Sequence, residues 1–117
     1  MQVNILGTEY KVLKHNYDEI KAFEKSDING YCDTVNKHIV ICNMATYPGY
    51  EDESEDFCKV VEKDTLRHEI VHSFLRESGV WANSGNVDSW ATNEEMVDWI
   101  ALQFPKMLKA FNETNCL

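Results

Sequence analysis

The sequence predicts an α+β domain in which a small antiparallel sheet or hairpin packs on one long helix and a second helix. Three observations predict it. Short alternating or β-branched runs fill the first 42 residues, a helical period runs from about Phe57 to Ser78, and another begins near Thr92. Strands and helices segregated in this way pack helices on one face of a sheet. A chain of 117 residues suits a single domain, 1–117, with its own core.

Residues 2–6 and 10–13 alternate around Gly7-Thr8 and read as strand, turn and strand. Residues 16–26 form a short amphipathic helix, with Tyr17, Ile20 and Phe23 on one side. Gly30 to Asp33, a polar turn at Thr34 to Lys37, and the β-branched run His38 to Cys42 predict a hairpin. Tyr47-Pro48-Gly49 is a turn. The acidic run Glu51 to Asp56 favours the positive end of the helix that follows, and Gly79 stops that helix. Residues 80–91 are loop-like around Trp81 and Trp90. The second helix reaches at least Phe104, with a kink or break at Pro105 and a last stretch to about Phe111.

Composition excludes several function classes. Hydrophobic residues make up 44% and charged residues 26%, a globular balance rather than a disordered one. A formal net charge of −9 disfavours nucleic acid and anionic membrane surfaces as partners. No apolar run is long enough to span a bilayer, and Met1 to Val12 does not read as a signal peptide, so the expected location is the cytoplasm. Cys32, Cys42, Cys58 and Cys116 form no CxxC pair and read as reduced, mostly buried thiols.

The chemistry is carried by His68-Glu69-Ile70-Val71-His72. Histidines four apart on a helix lie one turn above each other, within reach of one Zn²⁺. Glu69 between them has the right position to take a proton from the attacking water and pass it to the leaving group. At 100° per residue, Phe57, Val60, Val61, Val71 and Leu75 fall within roughly a 100° arc; His68 lies inside it and His72 at its edge. Leu66 and Ile70 fall outside, which suits a helix covered on more than one side. A catalytic zinc, one per chain, needs a third protein ligand. In the second helix Val97, Ile100, Ala101 and Phe104 form the buried arc, Glu94 lies beside it, and Glu95 faces solvent at capping-box spacing from Thr92. Glu94 is therefore the expected ligand. Asp98, one turn on, can receive the free ring N–H of a zinc histidine.

HEIVH followed by Asn93, Glu94 and Asp98 in NExxxD spacing resembles the gluzincin group of zinc metallopeptidases. The runs 66–79 and 94–106 are similar to the minimal zincin domains of phage or prophage proteins of the ImmA/IrrE-like type. That family's pattern, measured from Trp99, points instead to Glu95. The resemblance implies a metallopeptidase acting on a specific cytoplasmic protein such as a repressor. It also implies a strand beside the cleft that holds an extended peptide, for which His38 to Cys42 is the expectation. Tyr31, His38 and Tyr47 are candidate oxyanion donors, and His15 is uncommitted. Two other readings stand beside this one. A deformylase-like site would take its third ligand from Cys32, Cys42 or Cys58. A non-catalytic protein-binding module on the same scaffold would use Trp81, Trp90 and the acidic run as its surface.

Overall fold

A computed structural model describes residues 1–83 and 90–113. The strands are β1 (Gln2–Ile5), β2 (Thr8–His15), β3 (Gly30–Asp33) and β4 (His38–Cys42). The helices are α1 (Lys21–Ser26), α2 (Glu55–Glu77) and α3 (Glu94–Glu113). Cys116 and residues 84–89 of the loop predicted at 80–91 lie outside the described residues.

The class is α+β, but the sheet is not purely antiparallel. Its order is β1-β2-β4-β3, and β2 runs parallel to β4. A parallel pair needs a crossover, and here the chain supplies it through α1 and β3. The β1–β2 turn sits at Leu6-Gly7, one residue before the predicted one, with both at positive φ (50° and 92°). Paired positive φ values match the twist of a two-residue hairpin. The helix expected over 16–26 is split: Tyr17–Glu19 is a 3₁₀ turn, Ile20 is extended, and α1 follows.

Both sheet faces are covered, not one. Successive strand residues point to opposite faces. Ile39 and Ile41 of β4 join Ile5, Tyr10 and Val12, with Leu66 and Ile70 of α2 packed on them. Val40 and Cys42 join Phe23, Met44 and Cys58, with Tyr17 and Ile20 alongside. Tyr17, Ile20 and Phe23 thus keep their shared side although the helix is broken.

Ser54 caps α2, its side chain accepting from the Phe57 N–H at 3.1 Å, with Glu55 and Asp56 in the first turn. Gly79, at φ 84°, follows its end. The buried stripe of α2 is rotated from the predicted arc. Phe57 and Val60 are exposed, whereas Glu62, Glu69, His72, Ser73 and Leu75 are buried. Packing on the sheet through Leu66 and Ile70 sets that rotation. In α3, Val97 and Ala101 are buried as expected, but Phe104 is exposed. Asn93 begins this helix, its side chain accepting from the Met96 N–H at 2.8 Å. Thr92 therefore does not occupy the capping position expected of it. α3 also continues through Pro105 rather than breaking there. Among the described residues, no helix is long and apolar enough to cross a membrane.

Candidate metal centre

α2 and α3 supply the site. On α2, His68 Nε2 lies 3.0 Å from His72 Nε2. From α3, Glu94 Oε2 lies 3.2 Å from His68 Nε2, and its Oε1 3.3 Å from His72 Nε2. Bonds of about 2.0–2.1 Å on a tetrahedral zinc put neighbouring ligand atoms about 3.3 Å apart. The two histidine nitrogens, and the Glu94 oxygen nearer to each, approach that spacing. One donor atom from each of the three residues lies within 4.8 Å of the others, so the residues could hold a metal ion. Among the described residues, His68, His72 and Glu94 are the one group with donors so arranged. Glu95 is exposed and takes no part in it. Cys32, Cys42 and Cys58 also stay outside it, which removes the cysteine donor of a deformylase-like site. Their thiols are free, those of Cys42 and Cys58 are buried, and burial pushes the Cys32 thiol up to about 12.

Hydrogen bonding prepares His68 for this role. Asp98 Oδ1 lies 2.6 Å from its Nδ1. With the proton on Nδ1 donated to that carboxylate, Nε2 presents a lone pair. His72 is 7% exposed, and burial pulls its pKa down, which favours the neutral imidazole a metal requires. The Trp81 ring packs edge-on against it with centroids 5.7 Å apart. Among the described residues, His72 Nδ1 has no hydrogen-bond partner.

Glu69 is 6% exposed, and its closest described partner is His68 Nε2 at 4.0 Å. Burial, then the carboxylates of Glu94 and Asp98, push its pKa up to about 7 against the opposing pull of His68. A carboxyl tuned near neutrality can both take and return a proton. Gly30 allows this burial. A Cβ there would meet Thr65 Cγ2 at 2.7 Å and the Val40 carbonyl oxygen at 2.8 Å, so only glycine lets β3 press against α2 one turn before Glu69.

His68 and Glu94, with Glu69, line a cleft of about 560 Å³ running along α2 toward its N-terminus. Ile28, Val61 and Leu102 give it apolar walls; Asp27, Asp64 and Asp98 make it acidic. Asp27 sits at φ 49° and accepts from the Tyr47 hydroxyl at 3.1 Å. Asp64 and Thr65 were overlooked in the sequence, although their spacing from His68 puts them on its face of the helix. Nothing local signals Asp27.

The remaining candidates lie elsewhere. Tyr31 packs on Phe23, His15 pairs with Glu19 at 3.6 Å, and neither they, His38 nor Tyr47 lines the cleft. Strand β4 is hydrogen-bonded on both sides, to β2 and β3, so His38 to Cys42 has no edge to offer a peptide. The sheet edge nearest the cleft belongs to β3, whose Gly30 lines it. The Trp90 side chain lies outside the described residues, and the acidic run 51–56 leads into α2. No family model matches the chain, and no curated protein or solved structure matches it either.

Proposed function

We propose that this chain is a zinc-dependent hydrolase of the minimal zincin type, a metallopeptidase that cleaves a specific cytoplasmic protein. One observation carries the reading: a buried carboxylate, Glu69, with no hydrogen-bond partner among the described residues, stands beside three residues that could hold one metal ion. A structural histidine pair would not need it. The resemblance of HEIVH and NExxxD to gluzincins, ImmA/IrrE-like domains among them, points the same way.

His68, His72 and Glu94 would hold the metal. When bound, zinc supplies a Lewis acid and brings the pKa of water toward ~7. The chain's own residues do the rest. Glu69 takes a proton from the attacking water on a carboxylate oxygen and returns it to the leaving amine nitrogen. Asp98 keeps the His68 ring oriented and its Nδ1 protonated. The edge of β3 offers main-chain hydrogen bonds to an extended substrate. Asp27 suits a substrate with a lysine or arginine near the scissile bond, its aliphatic stem lying on Val61 and Leu102.

The test measures zinc per chain and cleavage of a random peptide library by mass spectrometry. Native protein is expected to hold one zinc and to cut. His72→Ala and Glu94→Gln lose the metal, while Glu95→Gln keeps it. Loss of zinc from Glu95→Gln but not from Glu94→Gln would reverse the ligand assignment. Native protein that binds no zinc sinks the whole reading. Zinc bound without cleavage of any peptide, or of any protein it captures, would leave a non-catalytic binding module instead.

A further inference from the structure

Helix α3 contains a proline and yet continues. Pro105 has no N–H, so the Ala101 carbonyl four residues earlier loses its usual donor within the helix. Ala101 is 4% exposed, and an unpaired carbonyl there would be a buried, unsatisfied acceptor. The Arg67 Nε–H of α2 fills the gap, donating to that oxygen at 3.1 Å. Asp64, one turn back on α2, holds the other end of the same guanidinium.

This contact continues the register of the metal centre. His72 meets Glu94, His68 meets Asp98, and Arg67 meets Ala101, so α2 descends as α3 ascends. At 100° per residue, Glu94, Asp98, Ala101 and Pro105 lie within an arc of about 60° on α3. The proline therefore frees an acceptor on the same stripe that carries the third donor.

We propose that Arg67 and Pro105 are positioning residues of the candidate metal centre: the freed carbonyl and the guanidinium that takes it fix the rotation and height of α3, and so bring Glu94 to the histidines. The inference rests on His68, His72 and Glu94 being the metal ligands. The Glu94 side chain is 63% exposed and has no described partner besides the two histidines, so the backbone of α3 decides where it stands. Packing of Val97 against Leu75 and Ala91 holds α3 sideways, but apolar contacts tolerate sliding. A directional hydrogen bond does not.

The test is a double-mutant cycle between two residues with no described contact. Zinc affinity is measured by chelator competition and the Co²⁺ absorption spectrum recorded, beside urea unfolding of the metal-free protein. Arg67→Met is expected to weaken zinc binding about tenfold to a hundredfold and to shift the cobalt spectrum. In the Pro105→Ala background the new N–H at 105 satisfies Ala101, and the same change is expected to cost less than about threefold. Because Arg67 is removed in both arms, the change in charge beside Asp64 cancels. Arg67→Gln repeats the cycle should the methionine variant fold poorly.

Equal losses of affinity in both backgrounds would overturn the proposal. So would reduced unfolding stability with zinc affinity unchanged, the signature of a merely structural contact. Either result, with Glu94→Gln still losing zinc, removes the positioning role and leaves the metal site standing. Native protein without zinc affinity removes both.

Discussion

Two glutamates on α2, about two turns apart, have opposite surroundings. Glu77 accepts from the Lys37 ammonium at 2.5 Å, the Tyr10 hydroxyl at 2.7 Å and the Thr8 hydroxyl at 3.0 Å. Those partners hold its carboxyl down at about 2. Glu69 is more deeply buried and has no such partners among the described residues, and burial raises it to about 7. Glu62, on the same helix, follows Glu77: it accepts from the Lys14 ammonium at 2.5 Å and the Met44 N–H at 3.0 Å. Paired carboxylates tie α2 to the sheet and its connections. Glu69, without a hydrogen-bond partner among the described residues, lines the cleft. Burial alone therefore does not mark a candidate functional carboxylate; burial without a described partner, beside a group of possible metal donors, makes it one.

The largest expected effect separates the two in catalysis. Glu69→Gln in the zinc-loaded protein should lower peptide cleavage about 10²–10⁴-fold, the usual span for a general base, while zinc stoichiometry stays at the native value. Glu77→Gln should leave the rate per folded molecule within about threefold, because it touches the sheet rather than the cleft. Steady-state rates on one library-derived peptide, corrected for folded fraction, decide it. Comparable losses from both changes would mean that Glu69 acts only by holding the fold.

Stability should divide them the other way. Glu77→Gln removes an ionised acceptor from three donors and is expected to cost about 2 kcal/mol at pH 7. The folded pKa of Glu77 is depressed, so its contribution is present above the ordinary carboxylate value of 4.5 and fades as pH falls toward about 2. Urea midpoints of native and variant protein should therefore converge over that window. A constant difference down to pH 2 would assign the loss to packing rather than charge.

Much of this contrast lies beyond sequence reading, for physical reasons. HEIVH was legible because both its parts are local: a one-turn spacing sets the histidines on one face, and the glutamate falls between them. The hairpin at 30–42 was legible because Asp33 accepts from the backbone of Val35 and Asn36, and Lys37 takes positive φ, all within the turn. The parallel pairing of β2 with β4 was not, since both strands carry the same alternation whichever neighbour they choose. Nor was the fate of each glutamate. Glu62, Glu69 and Glu77 are separated by partners on β2, on the turn after β3 and beyond β4, which only the fold brings near. The rotation of α2 was misread for the same reason: the sheet selects Leu66 and Ile70 over Phe57 and Val60.

The smallest expected effect is the sharpest test of the comparison, because its sign is unusual. A buried carboxylate with no hydrogen-bond partner among the described residues should destabilise the fold that holds it. In the metal-free protein the folded pKa of Glu69 is raised, so the native state keeps a proton that the unfolded chain loses between about pH 4.5 and 7. Stability should fall as pH rises through that window. Glutamine has nearly the same shape and does not ionise. Glu69→Gln should thus match native protein near pH 4.5 and exceed it at pH 8, by up to about 3 kcal/mol from the pKa difference and less if the cleft admits water. Urea unfolding with a chelator present, at the two pH values, measures it. If the variant gains nothing at pH 8, Glu69 has a partner that satisfies its charge, and it belongs with Glu62 and Glu77 as an anchor. If it gains, the fold is carrying a charged group at a cost, as the proposed general base would require.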